Sequence, residues 1–188
     1  MSQCLGSLKI GDTIDVKGPL GHVTYHGKGS LQVGENMCQV KQLSMLAGGT
    51  GITPMYQIMK AVLEGCNVLT SEDKDKGYKD KTEIFLLYAN RTEDDILLKP
   101  EIDAMILAHP NRLHVQYVLS QPKTEIPKQS PVLTGRVNLG MVQKFLPGGG
   151  GRGEGVFGLL CGPEGFLDHA CTPALLAHGY AKDTLVYF

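Results

Sequence analysis

The chain lacks an excess of charge of either sign. Its 18 Lys and Arg against 19 Asp and Glu leave a net charge of −1 over 188 residues. That removes any global attraction to nucleic acid or to an anionic membrane. No apolar run approaches the roughly 20 residues of a membrane-spanning helix, and Met1-Ser2-Gln3-Cys4 has neither the basic nor the apolar part of a secretory signal. The cysteines, Cys4, Cys38, Cys66, Cys161 and Cys171, include no Cys-x-x-Cys pair. Their spacing builds neither a zinc site nor a disulfide framework and suits a reducing, cytoplasmic compartment. Internal repeats are also lacking. What remains is a globular protein with room for one full core and part of another.

What is present falls into two parts. From Gln42 onward, apolar strands at Gln42–Leu46, Glu83–Ala89, Leu113–Leu119, Val156–Leu160 and Thr184–Phe188 alternate with helical patterns at Thr53–Glu64, Glu93–Ala108, Asn138–Leu146 and Glu164–His178. Strands that are apolar throughout and separated by helices predict a five-stranded, doubly wound parallel sheet covered on both faces. Before Gln42 the pattern alternates with period two: Ile10, Thr13–Lys17 and His22–Tyr25, with a turn at Gly18-Pro19-Leu20-Gly21, then a hairpin from Lys28–Val33 and Met37–Lys41. The mixed-charge segment Asn67–Lys81 and the glycine-rich Pro147–Gly155 read as surface loops without chemistry.

Ligands of open α/β sheets bind beyond the carboxyl ends of the strands. The first such end reads Ala47-Gly-Gly-Thr-Gly-Ile-Thr-Pro54, a strand, a glycine turn and a helix start in that order. Glycine lets the backbone approach a pyrophosphate, the helix N-terminus offers unpaired N–H groups, and Pro54 sits where the first turn needs no donor. Gly49-x-Gly51-x-x-Pro54 is a proline-ended variant of the dinucleotide fingerprint. At the second strand end, Asn90 and Arg91 are possible ligand contacts, while Thr92 can cap the next helix and Glu93-Asp94-Asp95 suit its N-terminal dipole. Ser120 at the third end, with Arg136 shortly after, offers a hydroxyl and a guanidinium for a 2′-phosphate; an exposed arginine before a helix is an equally good reading of Arg136. The fourth end is Cys161-Gly162-Pro163, where a thiol would face a bound ring, although a buried cysteine is commonly a small core residue. The chain ends on Phe188, which could equally close a last strand in the core.

Ala47–Pro54, Tyr88–Leu98, Cys161–Pro163 and the aromatic terminus, in this order, resemble the ferredoxin–NADP⁺ reductase superfamily and its cytochrome b5 reductase branch. Residues 88–98 and 1–21 are similar to the eukaryotic assimilatory nitrate reductases. The resemblance implies a C-terminal reductase region that passes electrons from NADH or NADPH to FAD. From there they would go to a b5-type haem domain upstream in the same chain, and on to a molybdenum centre that reduces nitrate, in a homodimeric parent. It implies residues 1–41 as the last strands of a truncated antiparallel FAD-binding barrel with a linker hairpin, and 42–188 as the NAD(P)H-binding domain. By the same resemblance Met1, Ser2 and Gln3 hold the FAD pyrophosphate and Thr53 contacts the flavin. Gly49, Thr50, Gly51 and Pro54 form the nicotinamide-dinucleotide loop, Cys161 positions the nicotinamide for hydride transfer with Gly162 and Pro163 turning beneath it, and Phe188 lies over or near the flavin. Thr53 and Cys161 are then the residues closest to catalysis, no metal is bound by this chain, and Cys161→Ser should slow turnover more than it weakens binding.

Three departures from the family pattern shape the expectations. The family's Arg-x-Tyr-(Thr/Ser) flavin grip is absent, so the chain reads as a C-terminal fragment that holds FAD weakly or not at all. Cys161-Gly162-Pro163 continues as Glu164-Gly165-Phe166 where the branch commonly has Pro-Pro-Met. Ser120 stands where NADH-specific members carry aspartate, which with Arg136 predicts that NADPH is accepted. Two alternatives stand beside this reading: a free-standing NAD(P)H–cytochrome b5 reductase, and a nucleotide-binding module without catalysis.

Overall fold

A computed structural model describes residues 2–18, 20–65, 80–127, 132–150 and 152–188. Met1, Cys66 and nearly all of the mixed-charge segment lie outside the described residues.

After a short helix α1 (Ser2–Ser7), three antiparallel strands form a meander: β1 (Val23–Gly27), β2 (Ser30–Val33) and β3 (Asn36–Gln39). The two-residue turn between β1 and β2 is Lys28-Gly29, both at positive φ (55° and 75°), the backbone that matches strand twist in a tight hairpin. A Cβ on Gly29 would lie 2.3 Å from the Val40 carbonyl oxygen, so glycine is required there. Tyr25, Leu31 and Val40 point from this meander into the main core.

The expected strand at Ile10 and Thr13–Lys17 does not form. The described residues between 8 and 22 carry no strand, and Ile10, Ile14, Val16 and Leu20 are exposed. The alternation is genuine, but no described strand lies beside it to accept its backbone hydrogen bonds, and a lone strand is not stable in water.

The main sheet is parallel and has the order β7-β6-β5-β4-β8-β9. Its members are β4 (Gln42–Gly48), β5 (Glu83–Asn90), β6 (Leu113–Leu119), β7 (Leu133–Thr134), β8 (Val156–Cys161) and β9 (Leu185–Tyr187). The sixth strand, β7, adds to the five expected; at two residues it is too short to leave a periodic signal. Alternate side chains feed opposite cores. Met45, Leu86 and Leu159 meet the helix α2 (Ile52–Glu64) on one face, whereas Leu46, Leu87 and Leu160 meet Val142 and Leu175 on the other. That two-sided burial is why these strands are apolar throughout.

α2 buries Ile52, Met55, Ile58, Met59, Val62 and Leu63, an i, i+3, i+4 stripe, and stops at Gly65 with φ 94°. The single helix expected over Glu93–Ala108 is instead a 3₁₀ turn, Glu93–Asp95, and a helix α3, Lys99–Ala108, separated by Leu98 at φ 56°. Pro100 explains the division: it fits the first turn of α3 and could not continue an earlier helix. Helix α4 (Leu139–Phe145) starts as expected, the Asn138 side chain accepting a hydrogen bond from the Met141 N–H at 3.1 Å. The stretch expected as one helix from Glu164 to His178 is α5 (Glu164–Phe166), a π-helical turn (Leu167–Cys171) and α6 (Thr172–Ala177). Pro173 has no N–H and would clash with a carbonyl one turn back; the wider turn before it absorbs the conflict.

The chain runs outward from β4 to β5, β6 and β7, then returns to place β8 on the other side of β4. The strand order therefore reverses between β4 and β8, and that crevice is where an open α/β sheet receives its ligand.

Candidate functional site

Parallel register aligns Ala47 of β4 with Cys161 of β8, so the turns following the two strands meet. They meet through glycines. A Cβ on Gly51 would lie 2.2 Å from the Cys161 carbonyl oxygen, and one on Gly162 would lie 2.8 Å from the Phe166 ring and 3.2 Å from the Gly48 Cα. Gly49 adopts φ +55°, which only glycine takes without cost. The glycine turn itself is a 3₁₀ turn (Gly49–Gly51) that runs directly into α2. Tyr88, fully buried in β5, fixes it from behind: its hydroxyl donates to the Gly49 carbonyl at 3.2 Å and accepts from the Leu97 N–H at 3.1 Å.

Beyond these turns lies a cavity of about 960 Å³ along the carboxyl ends of the sheet. Its lining follows the strand order. Gly135, Arg136 and Val137 come after β7, Ser120 after β6, Ala89, Asn90 and Arg91 at the end of β5, Gly48, Gly49 and Thr50 after β4, and Pro163, Gly165, Phe166, His169 and Ala170 after β8. Seven anticipated positions therefore share one cavity: Gly49, Thr50, Asn90, Arg91, Ser120, Arg136 and Pro163. Gly51, Cys161 and Gly162 form the packed hinge beneath it.

The other anticipated residues lie apart from it. Thr53 is exposed on the first turn of α2, its hydroxyl donating to the Thr50 carbonyl at 3.1 Å, and Pro54 is half-buried beside it. Phe188 is 40% exposed and its ring centroid lies 6.4 Å from that of His22. Gln3 is exposed in α1; of Ser2 only its place in that helix is described, and Met1 lies outside the described residues. None of these lines the cavity.

The cavity's charge is mixed, but its carboxylates are engaged elsewhere. Asp94 is paired with Lys123. Asp95 accepts from both the N–H and the hydroxyl of Thr92, the residue expected to cap this turn, and those bonds hold its carboxyl below the usual range. Glu93, just outside, accepts from the Lys123 N–H and is pulled down to about 2. Arg91 donates from Nε to Gln121 at 2.8 Å. Arg136 makes no ion pair among the described residues, and it and Ser120 line the β6–β7 end of the cavity. Burial pushes the Cys161 thiol up, so at neutral pH it is a protonated, half-buried group rather than a nucleophile.

Sequence reasoning missed the wall formed by Phe166, His169 and Ala170, and Tyr88 as the brace of the turn. Phe166 and His169 stand three apart just after a glycine-proline turn, the spacing of one helix face, which was the available signal.

A cradle of glycines at the reversal of strand order, opening into a cavity long enough to span five strand ends, fits a dinucleotide. Comparison with known proteins agrees. Residues 45–172 match the oxidoreductase NAD-binding domain family. The chain is 41% identical to the NADH nitrate reductase of Volvox carteri over 189 residues and 43% identical to the NAD(P)H nitrate reductase of Hordeum vulgare over 190; each alignment covers all of this chain and 20% of the relative. It thus spans about a fifth of the length of the curated relatives it matches. The cytochrome b5 reductase domain of Ulva prolifera nitrate reductase superimposes with a TM-score of 0.84 at 39% identity, covering 100% of this chain and 64% of that one. The CS-b5R domains of human Ncb5or, in the NAD⁺ form, superimpose with a TM-score of 0.61 at 25% identity, covering 79% of this chain and 37% of that one. The chain belongs to the oxidoreductase NAD-binding domain family.

Proposed function

We propose that this chain is the nicotinamide-dinucleotide-binding part of a flavin-dependent reductase, and that in its full-length parent it feeds electrons from NAD(P)H toward nitrate reduction. The observation that carries the reading is the glycine-on-backbone packing of Gly51 against Cys161 beneath the 960 Å³ cavity. The relatives named above are the reason for choosing nitrate as the terminal acceptor.

The residues fit a dinucleotide. The N–H groups of the Gly49–Ile52 segment would meet the pyrophosphate at the start of α2. Ser120 and Arg136 would take the adenosine end, and Cys161 with Pro163 would seat the nicotinamide. The bound nucleotide supplies a hydride for a flavin, and the protein's part is to hold the ring in place and keep water from it. Cys161 contributes as a neutral, shape-filling neighbour of the ring; no residue need move a proton.

The flavin side is different. Thr53 and Phe188 are exposed and do not line the cavity along the strand ends, so no step through the flavin is derived. Residues 1–41 as part of an FAD-binding barrel, 42–188 as the nucleotide domain, an upstream b5-type haem domain, a molybdenum centre, dimerisation and a cytoplasmic location complete the proposal. No helix among the described residues is long and apolar enough to cross a membrane, and no described group of His, Cys, Asp and Glu is arranged to hold a metal. One second reading rests on residues 8–18, which carry no strand where a flavin-binding barrel would continue: a module that binds the nucleotide without turning it over.

Ferricyanide reduction by the chain with added FAD separates the two. NAD(P)H-dependent reduction supports the reductase; nucleotide binding without reduction supports the module; no binding of either nucleotide refutes both. Run with NADH and NADPH, before and after Ser120→Asp, the same assay tests the adenosine end. The aspartate should shift preference toward NADH by repelling a 2′-phosphate, and an unchanged ratio would remove Ser120 from that role.

A further inference from the structure

Asn90 ends β5 at the wall of the cavity, is 8% exposed, and has no hydrogen-bond partner at either Nδ2 or Oδ1. The Tyr88 hydroxyl is near enough for this amide to favour its ionised form, but the two make no hydrogen bond, and the hydroxyl donates to the Gly49 carbonyl and accepts from the Leu97 N–H instead. Fully unpaired buried amides are rare, because desolvating one without compensation is costly. Leucine has almost the same shape and would carry no such cost. A sequence that keeps asparagine here keeps a group in need of a partner, at the edge of the large cavity along the strand ends.

The chemistry of the amide narrows what that partner is. It offers two donors and one acceptor oxygen. Phosphate oxygens only accept, so a phosphate would satisfy Nδ2 and strand Oδ1. A vicinal diol both gives and takes, and matches both ends. Position narrows it further. Ser120 and Arg136 stand on the β6–β7 side of Asn90, while Gly48–Thr50 and Pro163 stand on the β4–β8 side. An extended dinucleotide lying along these ends would bring a sugar past Asn90. With the adenosine end at Ser120 and Arg136, that sugar is the ribose on the nicotinamide side.

We propose that Asn90 grips a ribose hydroxyl pair of the dinucleotide, a small rotation of its side chain turning the buried amide into the cavity as the nucleotide enters. This rests on the dinucleotide reading above. Its consequence is unusual for a binding residue: the ligand-free protein is less stable for having it, and occupancy relieves the cost.

The test uses the full chain with Asn90→Leu and Asn90→Asp. Binding is titrated by calorimetry with NAD⁺ and with two analogues, each lacking the 2′- and 3′-hydroxyls of one ribose; thermal unfolding is followed without nucleotide. Asn90→Leu should unfold at a higher temperature than the parent and bind NAD⁺ about ten-fold more weakly. It should bind the analogue lacking the nicotinamide-side diol as well as the parent does, because the lost groups are each other's partners. Coupling to the adenosine-side diol instead would uphold the ribose grip and overturn the choice of sugar. Asn90→Asp, which still accepts from hydroxyls but repels phosphate, should stay within about three-fold of the parent. A loss as large as the leucine variant's would overturn the diol in favour of a phosphate contact. Equal weakening toward all three ligands, no weakening, or a lowered unfolding temperature for Asn90→Leu would each overturn the proposal. A parent chain that binds no NAD⁺ at all would defeat the dinucleotide reading itself.

Discussion

Gly51→Ala isolates the contact on which the site is built. Gly51 has φ −62° and ψ −5°, ordinary helical values, so alanine brings no backbone strain and only its methyl group matters. That methyl would sit 2.2 Å from the Cys161 carbonyl oxygen, 2.5 Å from its carbon and 2.9 Å from the Gly162 nitrogen. All three are backbone atoms at the end of a central strand and none can swing aside as a side chain would. Relief requires the two turns to part by about 1 Å. Overpacking of this kind costs about 1–3 kcal/mol, which for a chain of this size lowers the unfolding temperature by roughly 2–4 °C per kcal/mol. A displacement near 1 Å between binding elements costs about 100-fold where alignment matters. Gly48→Ala provides the graded comparison, since its methyl meets only the Phe166 ring at 3.0 Å and Pro163 at 3.2 Å, side chains that can yield. The expected order in nucleotide dissociation constant and in melting temperature is parent, then Gly48→Ala, then Gly51→Ala by the wider margin. A Gly51→Ala protein that binds NAD(P)H within two-fold of the parent and melts with it would refute the packing of β4's turn on β8's.

Tyr88→Phe removes the brace behind the glycine turn and leaves the Leu97 N–H and Gly49 carbonyl without it, at about 1–3 kcal/mol. Chemical denaturation should show that loss, with weaker nucleotide binding; unchanged affinity would mean the turn holds itself. Cys161→Ser should reduce turnover by a larger factor than it raises the nucleotide dissociation constant, in stopped-flow and equilibrium titrations of a flavin-loaded protein. Equal factors would make the thiol only a binding contact. Stability should also fall as pH rises past the ordinary thiol range near 8.5. The Cys171 thiol is fully buried and held protonated by that burial, so the unfolded chain loses this proton first and ν_U falls below ν_N. The slope from one such group reaches at most about −1.4 kcal/mol per pH unit, and Cys171→Ala should flatten it. A pH-independent melting temperature between 8 and 10 in the parent would contradict the assignment.

The parallel sheet was legible because its strands are buried on both faces, and an unbroken apolar run of strand length between helical patterns suits few environments besides a doubly covered sheet. The glycine turn was legible for a related reason: Gly51 and Gly162 must lack side chains where two backbones touch, and that requirement is written directly as residue type. Ser120 and Arg136 read as a pair for the adenosine end, and Arg91 as a strand-end contact. That they share a cavity depends on the strand order β7-β6-β5-β4, which neighbouring residues do not encode. The segment from Ile10 to Lys17 failed in the opposite direction. Its alternation is a true strand preference, but a strand is a relation between two segments, and no described partner stands beside it.

The wall from Phe166 to Ala170 closes the β8 side of the site. Read as one helix from Glu164, this stretch presents Phe166 and Ala170 on one face and His169 at its edge. Pro173 then forces a wider turn over Leu167–Cys171, and residues of that turn rotate relative to a regular helix. The turn carries His169 and Ala170 to the cavity while Cys171, the next residue, is buried in the core beneath the sheet. Phe166, His169 and Ala170 would share a face of a regular helix as well, so the wider turn accommodates Pro173 while keeping this wall together. An aromatic ring and an imidazole, Phe166 and His169, thus face the cavity just after the cysteine–glycine–proline turn. The glycine turn fits a pyrophosphate, whereas the rest of the cavity is gathered from five separate strand ends, and of its groups Asn90 is the one whose buried amide lacks a partner.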